Sequence, residues 1–306
     1  MPRNVPIIDL KSFIDGTDKE SVVAAVDDAC RNTGFLVVTG HGVAPEIMQG
    51  ALDAIRSFYE QPESTKAAHD NSVRGTGWKQ FASMSLGNLE GDGTVPPDLR
   101  EEFRVRRLDI IDWVSPIWGD PLINEAFRDA LVRYYTTLDR LADVIGQIFA
   151  LAVGKQQNYF EQFTDHHDSY LGLYYYPALE KAPEPGQLRG GAHTDFGSLT
   201  ILYGYPSVQG LQVWNDEEWE DVPLVPDSFV INIGDLMQRW TNDVWSSTRH
   251  RVVNPSDGQW DQARFSMAFF HQPNYDALIE SLDDTEPAKG PSPRSVDTGF
   301  VVRRPA

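Results

Sequence analysis

The sequence predicts a mainly β protein with flanking helices, in which the strands form a sandwich or a jelly roll. From Ser169 onward, short β-rich runs follow one another with turn residues between them, and we expect no helix to intervene. That series is typical of these folds rather than of a parallel sheet. Ahead of Ser169, longer runs carry apolar residues at helical spacing. Hydrophobic residues make up 41% of the chain and charged residues 23%, which is enough apolar material for a sizeable core.

The front of the chain predicts a mixture of strands and helices. Residues 5–10 are expected to form a short strand, and residues 34–40, an apolar run bounded by glycines, a buried one. Helices are expected at 18–31, with an acidic start, and at 45–59, ending ahead of Pro62. The second helix places four residues at helical spacing on one face: Met48, Leu52, Ile55 and Tyr59.

Two longer segments follow. Residues 72–97 are rich in Gly, Ser, Asn and Asp and predict a long irregular loop, of the kind that often forms a lid or a binding loop. Residues 122–153 predict the strongest helix, because apolar residues recur there at every third or fourth position. This core-facing stripe consists of Phe127, Leu131, Tyr134, Leu138, Leu141, Ile145 and Ile148.

The second half of the chain predicts six strands. Each is a short apolar or β-branched run bounded by turn residues. They cover residues 170–176, 198–205, 211–214, 228–233, 250–253 and 264–271. The tail from Asp283 onward is rich in Asp, Pro and Gly, and we expect it to wrap the surface.

The net charge of the chain limits the classes of partner that it is expected to bind. Acidic residues outnumber basic ones by 45 to 26, so the formal net charge is −19. That field opposes binding to nucleic acid and to anionic membranes, and a small acid that binds here needs a local positive pocket. The single cysteine, Cys30, excludes an internal disulfide and is expected to be a small buried residue. Without a secretory signal or a membrane-length apolar run, we expect a cytoplasmic protein.

A metal site is indicated by His193 and Asp195, which project to the same side of an extended strand because they are two residues apart. Two imidazoles and one carboxylate form the ligand set that holds a non-haem iron(II) on one face and leaves its other positions open. The third ligand must come from another strand. His250, at the start of a strand that we expect opposite in the sheet order, is the candidate.

The His-x-Asp pattern alone does not identify the site, because it occurs again at His166 and Asp168. For this second copy we favour a solvated helix end beside acidic residues. His41, His69 and His271 are each expected to be structural or exposed rather than ligands.

A carboxylate site is indicated by Arg264 and Ser266, which again share one side of a strand. A guanidinium binds a carboxylate through two parallel hydrogen bonds, and a hydroxyl adds a third. The alternative is a surface arginine on an edge strand. The apolar residues around Arg264 favour burial, and a buried arginine needs an anionic partner, which no adjacent residue supplies.

Taken together, these residues resemble the iron(II)- and 2-oxoglutarate-dependent oxygenases of the isopenicillin N synthase-like family, over most of the chain. The resemblance begins with Val5-Pro6-Ile7-Ile8-Asp9-Leu10 and the run from Gly34 to Val43. Its most specific part consists of Tyr175-Tyr176-Pro177, His193-Thr194-Asp195, Gly210-Leu211-Gln212-Val213, Val230 to Asp235, Trp240-Thr241-Asn242, Ser247 to Val253 and Arg264-Phe265-Ser266.

The resemblance implies a double-stranded β-helix (jelly roll) core and assigns roles to six residues. His193, Asp195 and His250 would bind iron(II), while Arg264, Ser266 and Tyr176 would hold the distal carboxylate of 2-oxoglutarate. Residues 1–120 would be the family's N-terminal mixed α/β region. Residues 121–306 would be a helix plus the jelly-roll catalytic region with a C-terminal tail, and the two would form one compact unit. The chain departs from the family at Gly40 and Tyr174, where asparagine is frequent.

The implied activity couples oxidative decarboxylation of 2-oxoglutarate by dioxygen to hydroxylation, desaturation or ring formation on a small organic substrate, with ascorbate as a stimulant. Two alternatives stay open at this stage. One is an iron-dependent oxidase of the same fold that does not use 2-oxoglutarate, and the other is a catalytically silent small-molecule-binding jelly roll. The sequence leaves the oligomeric state open. Candidate pocket residues, each equally open to a packing role, are Trp78, Phe81, Arg104, Tyr174 and Phe270.

Overall fold

Two β-sheets face each other at the centre of the molecule. The computed structural model describes residues 5–71, 75–89, 95–111, 125–204, 210–215, 217–255 and 263–282. The strands are β1 (Ile7–Asp9), β2 (Phe35–Thr39), β3 (Asp70–Asn71), β4 (Thr76–Lys79), β5 (Glu101–Arg106), β6 (Tyr170–Tyr176), β7 (Gly190–His193), β8 (Leu199–Gly204), β9 (Leu211–Trp214), β10 (Trp219–Asp221), β11 (Phe229–Ile233), β12 (His250–Val252) and β13 (Arg264–His271).

The larger sheet has nine strands in the order β1-β2-β11-β8-β13-β6-β5-β4-β3, and the smaller has four in the order β10-β9-β12-β7. Within the described residues, β1 and β2 are the one parallel pair, and all other neighbours run antiparallel. A series of short antiparallel strands divided between two facing sheets is the predicted jelly-roll arrangement.

Helices pack against the outer face of the larger sheet. They are α1 (Lys11–Ile14), α2 (Lys19–Asn32), α3 (Pro45–Tyr59), α4 (Glu63–Lys66), α5 (Leu86–Leu89), α6 (Arg107–Ile111), α7 (Glu125–Ala152) and α8 (Asp235–Trp240), with short 3-10 turns at Ala67–His69 and Glu161–Phe163. The α3 helix has the predicted bounds, and α2 begins directly after Asp18, whose carboxylate accepts a hydrogen bond from the Ser21 backbone N–H at 3.0 Å. Cys30 of α2 is fully buried, as expected.

The predicted loop at 72–97 is partly wrong. Its described residues include β4, which pairs with β5 in the larger sheet, and α5. Residues 72–74 and 90–94 lie outside the described part of the chain, as does the tail from Asp283. The β4 strand escaped prediction because it is short and contains glycine. The β5 strand was missed because its apolar residues, Phe103 and Val105, alternate with charged ones.

The alternation of side chains along each strand creates two separate apolar layers. On β6, Leu171 and Leu173 face a cluster that includes residues of α2, α3 and α7. Tyr174 and Tyr176 of the same strand face the second cluster, which is formed by residues of both sheets. The helices therefore cover the outer face of the larger sheet, and its inner face is left to form a site. Within the described residues, no helix is both long enough and apolar enough to cross a membrane.

The α7 helix carries much of the outer layer, and Leu138 at its centre is fully buried. Leu138→Ala is expected to lower the free energy of unfolding by about 2–5 kcal/mol, because it leaves a cavity in the outer apolar cluster. Urea denaturation followed by circular dichroism measures this loss. Arg140→Ala, at an exposed position of the same helix, is the control and should change stability by no more than about 0.5 kcal/mol. Equal effects for the two variants would contradict the packing of α7.

Candidate metal centre and adjoining cavity

His193, Asp195 and His250 converge at one end of the space between the sheets. His193 ends β7 and His250 begins β12, and the antiparallel pairing of these strands sets the two residues directly opposite each other. Their ring centroids are 4.3 Å apart. Asp195 lies two residues beyond the end of β7, and its Oδ1 is 3.7 Å from the Nε2 of each histidine. The strand of His250 is thus the direct neighbour of the strand of His193, whereas we expected it to lie opposite.

Backbone carbonyls fix the histidine tautomers. The Nδ1 of His193 is 2.8 Å from the Gly191 carbonyl oxygen, and the Nδ1 of His250 is 3.1 Å from that of Thr248. Because a carbonyl oxygen only accepts, each Nδ1 carries the proton and each Nε2 presents a lone pair. Burial, together with the neighbouring His250, lowers the pKa of His193 well below its usual value. The neutral imidazole is the form that binds a metal.

Asp195 is oriented by two side chains of the larger sheet. Its Oδ2 accepts hydrogen bonds from Thr200 Oγ1 at 2.6 Å and from Asn232 Nδ2 at 2.7 Å, which leaves Oδ1 facing the histidines. Burial alone would raise the pKa of Asp195, but the two histidines and these hydrogen bonds outweigh it and lower the pKa. The sequence analysis missed Thr200 and Asn232. The pattern that could have indicated them is a polar residue within an otherwise apolar strand, which holds for both Thr200 and Asn232.

The donor set fits a divalent transition metal. One ligand atom from each of the three residues lies within 4.8 Å of the others, and two imidazoles with one carboxylate suit iron(II) with open positions. Among the described residues, no second group of this kind occurs.

The other His-x-Asp copy does not converge on one point. The side chain of His166 is 81% exposed beside Asp165, with His166 Nδ1 3.1 Å from Asp165 Oδ1. His167 is buried, with Nε2 2.9 Å from Asp139 Oδ1, and Asp168 pairs with Arg106. The sequence interpretation of these residues as a solvated end is confirmed for His166.

Arg264, Ser266 and Tyr176 come together further along the same inner face. Arg264 lies opposite Tyr176 in the β13–β6 register, and its guanidinium carbon is 4.9 Å from the centroid of the Tyr176 ring. Ser266 Oγ is 3.5 Å from Arg264 Nη1 and 3.4 Å from the Tyr176 hydroxyl.

The buried guanidinium of Arg264 has no anionic partner in the part of the chain that the structure describes. Arg264 is 3% exposed, its Nε has no hydrogen-bond partner, and no described carboxylate lies within ion-pair distance. Burial would raise the pKa of Tyr176, but the charges of Arg264 and Arg100 outweigh this and lower it. Since a buried charge is costly without a partner, the arrangement fits a carboxylate supplied by a ligand.

A cavity of about 320 Å³ connects the two groups of residues. Of the five pocket candidates, Arg104, Tyr174 and Phe270 line it. Trp78 does not: it packs in the outer core, and its Nε1 donates to Glu101 Oε2 at 2.6 Å. Phe81 is also absent from the lining. Lining residues that the sequence analysis missed include Lys79, Met84, Leu86, Arg100, Glu102 and Tyr170.

Two family models match the chain. Residues 167–273 match the 2OG-Fe(II) oxygenase superfamily, and residues 5–115 match the N-terminal region described as that of a non-haem dioxygenase in morphine synthesis. One similar protein is the 2-oxoglutarate-dependent dioxygenase caaD of Aspergillus niger. It is 34% identical over 278 residues, which cover 87% of this chain and 84% of that protein.

Solved structures give the same result. A full-length Neurospora crassa protein, crystallised in complex with alpha-KG and thymine, superposes with a TM-score of 0.80 at 27% identity, covering 93% of this chain and 90% of the Neurospora chain. JOX2, in complex with 2OG, Fe and JA, superposes with a TM-score of 0.76 at 30% identity, covering 92% and 78% of the two chains. These matches confirm the predicted jelly-roll core. The chain belongs to the 2-oxoglutarate- and iron(II)-dependent oxygenase superfamily, and it is a dioxygenase that uses both cofactors.

Proposed function

We propose that His193, Asp195 and His250 hold the iron(II) and that Arg264 binds the distal carboxylate of 2-oxoglutarate, with Ser266 and Tyr176 as hydroxyl partners. The observation that supports this most directly is the buried Arg264 guanidinium, which lies in the same cavity as the three metal-binding side chains and has no carboxylate partner among the described residues. In this proposal Arg264 binds the distal carboxylate of 2-oxoglutarate. The 2-oxo acid end of the same molecule then extends along the cavity toward the metal centre.

Each residue has a distinct part in this proposal. Iron(II), when bound, supplies the dioxygen activation that couples 2-oxoglutarate decarboxylation to hydroxylation, desaturation or ring formation on a small organic substrate. Thr200 and Asn232 hold the Asp195 carboxylate in its metal-facing orientation. The carbonyl groups of Gly191 and Thr248 do the same for the two imidazoles. Arg264 orients the cosubstrate, and the apolar cavity walls exclude water.

The proposal also covers the class of substrate, the cellular location and the relation between the two segments of the chain. The net charge of −19 supports a small-molecule substrate rather than nucleic acid or an anionic membrane. The proposal also includes a cytoplasmic location. Residues 1–120 and 121–306 act as one unit in this proposal. The support for this is that β2 pairs with both β1 and the distant β11, so both segments contribute to one sheet.

The activity is tested with iron(II), ascorbate, 2-oxoglutarate and a library of small organic substrates. We expect oxygen uptake that requires 2-oxoglutarate and yields one succinate for each 2-oxoglutarate consumed. Substrate turnover that is independent of 2-oxoglutarate would instead indicate the oxidase, and absence of oxygen uptake with iron bound would contradict the proposal.

Removal of one metal ligand tests the iron site. His193→Ala is expected to abolish stoichiometric iron(II) binding, because Asp195 and His250 alone leave too few ligands. Anaerobic equilibrium dialysis measures the bound iron, and circular dichroism confirms folding. His166→Ala, in the second His-x-Asp copy, is the matched control and should bind iron normally. A His193→Ala protein with full iron content would show that His193 is not an iron ligand.

Removal of the guanidinium tests the cosubstrate site. Arg264→Gln is expected to weaken 2-oxoglutarate binding by about 10–100-fold, because it removes charged hydrogen bonds, while iron(II) affinity stays unchanged. Calorimetry with zinc(II) in place of iron measures both affinities. Arg251→Gln serves as the control, since Arg251 lies over Trp219 and outside the cavity lining. Unchanged 2-oxoglutarate affinity in Arg264→Gln would contradict the assignment.

The residues behind Asp195 give a separate test. Asn232→Ala and Thr200→Val each remove one hydrogen bond from Asp195 Oδ2, and each is expected to lower metal affinity by about 10–100-fold. Competition with a chelator measures the change. Asn215→Ala, in the turn between β9 and β10, should retain the original affinity. If both Asp195-directed variants also retained it, the orienting role would be wrong.

A further inference from the structure

The inner face of β13 extends along the cavity and gives it two ends. Side chains on a strand alternate between faces, and alternate residues from this strand line the cavity: Arg264, Ser266, Ala268, Phe270 and Gln272. Arg264 and Ser266 mark the proposed cosubstrate end. Phe270 lies opposite Thr200 in the β13–β8 register, and Thr200 donates to the Asp195 carboxylate. The part of the strand that leads to Gln272 is therefore the end beside the metal-binding residues.

Gln272 is held at this end by its backbone and by a neighbouring glycine. Its backbone N–H donates to Ser169 Oγ at 3.0 Å, which fixes the chain directly after β13. A Cβ at Gly197 would lie 2.7 Å from Gln272 Nε2, so the amide packs against the segment that follows Asp195. Gln272 also lies eight residues from Arg264, roughly 26 Å along an extended chain. Its amide is therefore well separated from the proposed cosubstrate carboxylate site.

The amide oxygen of Gln272 has no hydrogen-bond partner within the described residues. Gln272 is 9% exposed, and its Oε1 is buried without a donor. A buried amide oxygen that accepts no hydrogen bond destabilises the protein, whereas a methionine of similar size would fill the position without this cost. Because Gln272 belongs to the cavity wall, a ligand in the cavity is the expected source of the missing donor.

Apolar and aromatic side chains make up much of the wall that Gln272 shares. The Phe270 ring stacks on Tyr170, with centroids 4.7 Å apart and an interplanar angle of 20°. Phe196, which directly follows Asp195, also lines the cavity and is 45% exposed, so part of its ring is available to a ligand. Ligand sites commonly combine such apolar walls with a few polar groups that fix the orientation of the ligand. Gln272 is placed to be one of those groups.

We propose that Gln272 is a specificity-determining residue whose amide oxygen accepts a hydrogen bond from a hydroxyl or N–H group of a small, largely apolar substrate. The apolar body of the substrate then packs against Phe270 and Phe196. A molecule of the same shape without a donor is rejected, because it leaves the Gln272 oxygen buried and unpaired. The cavity volume of about 320 Å³ limits the substrate to a small molecule, since 2-oxoglutarate occupies part of it. This inference rests on the proposed function of the same cavity.

The test compares pairs of ligands that have the same shape. Small aryl and alicyclic alcohols and carboxamides are each paired with the counterpart in which a methyl group replaces the donor, such as benzyl alcohol with ethylbenzene and benzamide with acetophenone. All are titrated calorimetrically into the zinc(II) protein with saturating 2-oxoglutarate. We expect the tightest ligand to carry a donor and to bind at least about tenfold more tightly than its methyl counterpart. The proposal is overturned if no donor-bearing ligand binds more tightly than its counterpart.

Variants assign the preference to Gln272. Gln272→Met removes the acceptor at similar volume and should abolish or reverse the preference for the donor, while Gln272→Glu keeps an acceptor oxygen and should retain part of it. Gln162→Met, at an exposed position, is the control. The affinity for 2-oxoglutarate should stay unchanged in all three variants, because Arg264 lies at the other end of the strand.

Three results would overturn the assignment. A folded Gln272→Met protein with unchanged preference would exclude Gln272 from substrate recognition. A parallel loss of 2-oxoglutarate affinity in Gln272→Met would show a structural role instead. Complete loss of the preference in Gln272→Glu would show that the amide N–H group, and not the oxygen, contacts the ligand.

Oxygen uptake separates this inference from the proposed function. If uptake never depends on 2-oxoglutarate, the proposed function fails. If uptake depends on 2-oxoglutarate but the methyl counterparts stimulate it as strongly as the donor-bearing compounds, only the assignment of Gln272 fails.

Discussion

The antiparallel pairing of β7 with β12 is the interaction on which the metal centre depends. It sets His193 and His250 opposite each other, and neither residue alone defines a binding point. Side chains on a strand alternate between faces, so a slip of one residue in this register would turn one imidazole away from the other. The larger sheet supplies the groups that orient the third ligand. Asn232 and Thr200, which are paired between β11 and β8, both donate hydrogen bonds to the Asp195 carboxylate. The two sheets of the jelly roll thus each contribute a fixed part of one small site.

Charge is distributed differently inside and outside this protein. The chain as a whole is acidic, yet the inner face of the larger sheet carries arginines whose positions are set by tyrosine rings and by the strand register. Arg264 lies on β13 and Arg104 on β5, and these two strands flank β6 on its two sides. The same sheet therefore provides two separate cationic positions in one cavity, at a spacing that the backbone determines rather than flexible loops.

The sequence predicted the parts of the structure that depend on local pattern. Apolar runs predicted most strands of the second half, and their spacing placed Arg264 and Ser266 on one face of β13. Asp195, which we expected on the strand of His193, lies beyond the end of that strand. The metal trio is brought together in the structure, and its role as the iron site remains our proposal. Alternating charged and apolar residues in β5 did not predict a strand that lines a cavity, because periodicity shows that side chains share a face but not whether that face meets solvent or a ligand. Glu102 was missed for that reason.

The position of β2 in the larger sheet has a consequence for how the chain is made. Its neighbour on one side is β1, close in sequence, but on the other side it pairs with β11, at residues 229–233. During synthesis, the apolar edge of β2 stays without its second neighbour until most of the chain has left the ribosome. An exposed apolar edge is a template for pairing with other chains. Truncated products that end ahead of Phe229 therefore carry an aggregation-prone edge, and they also lack His250.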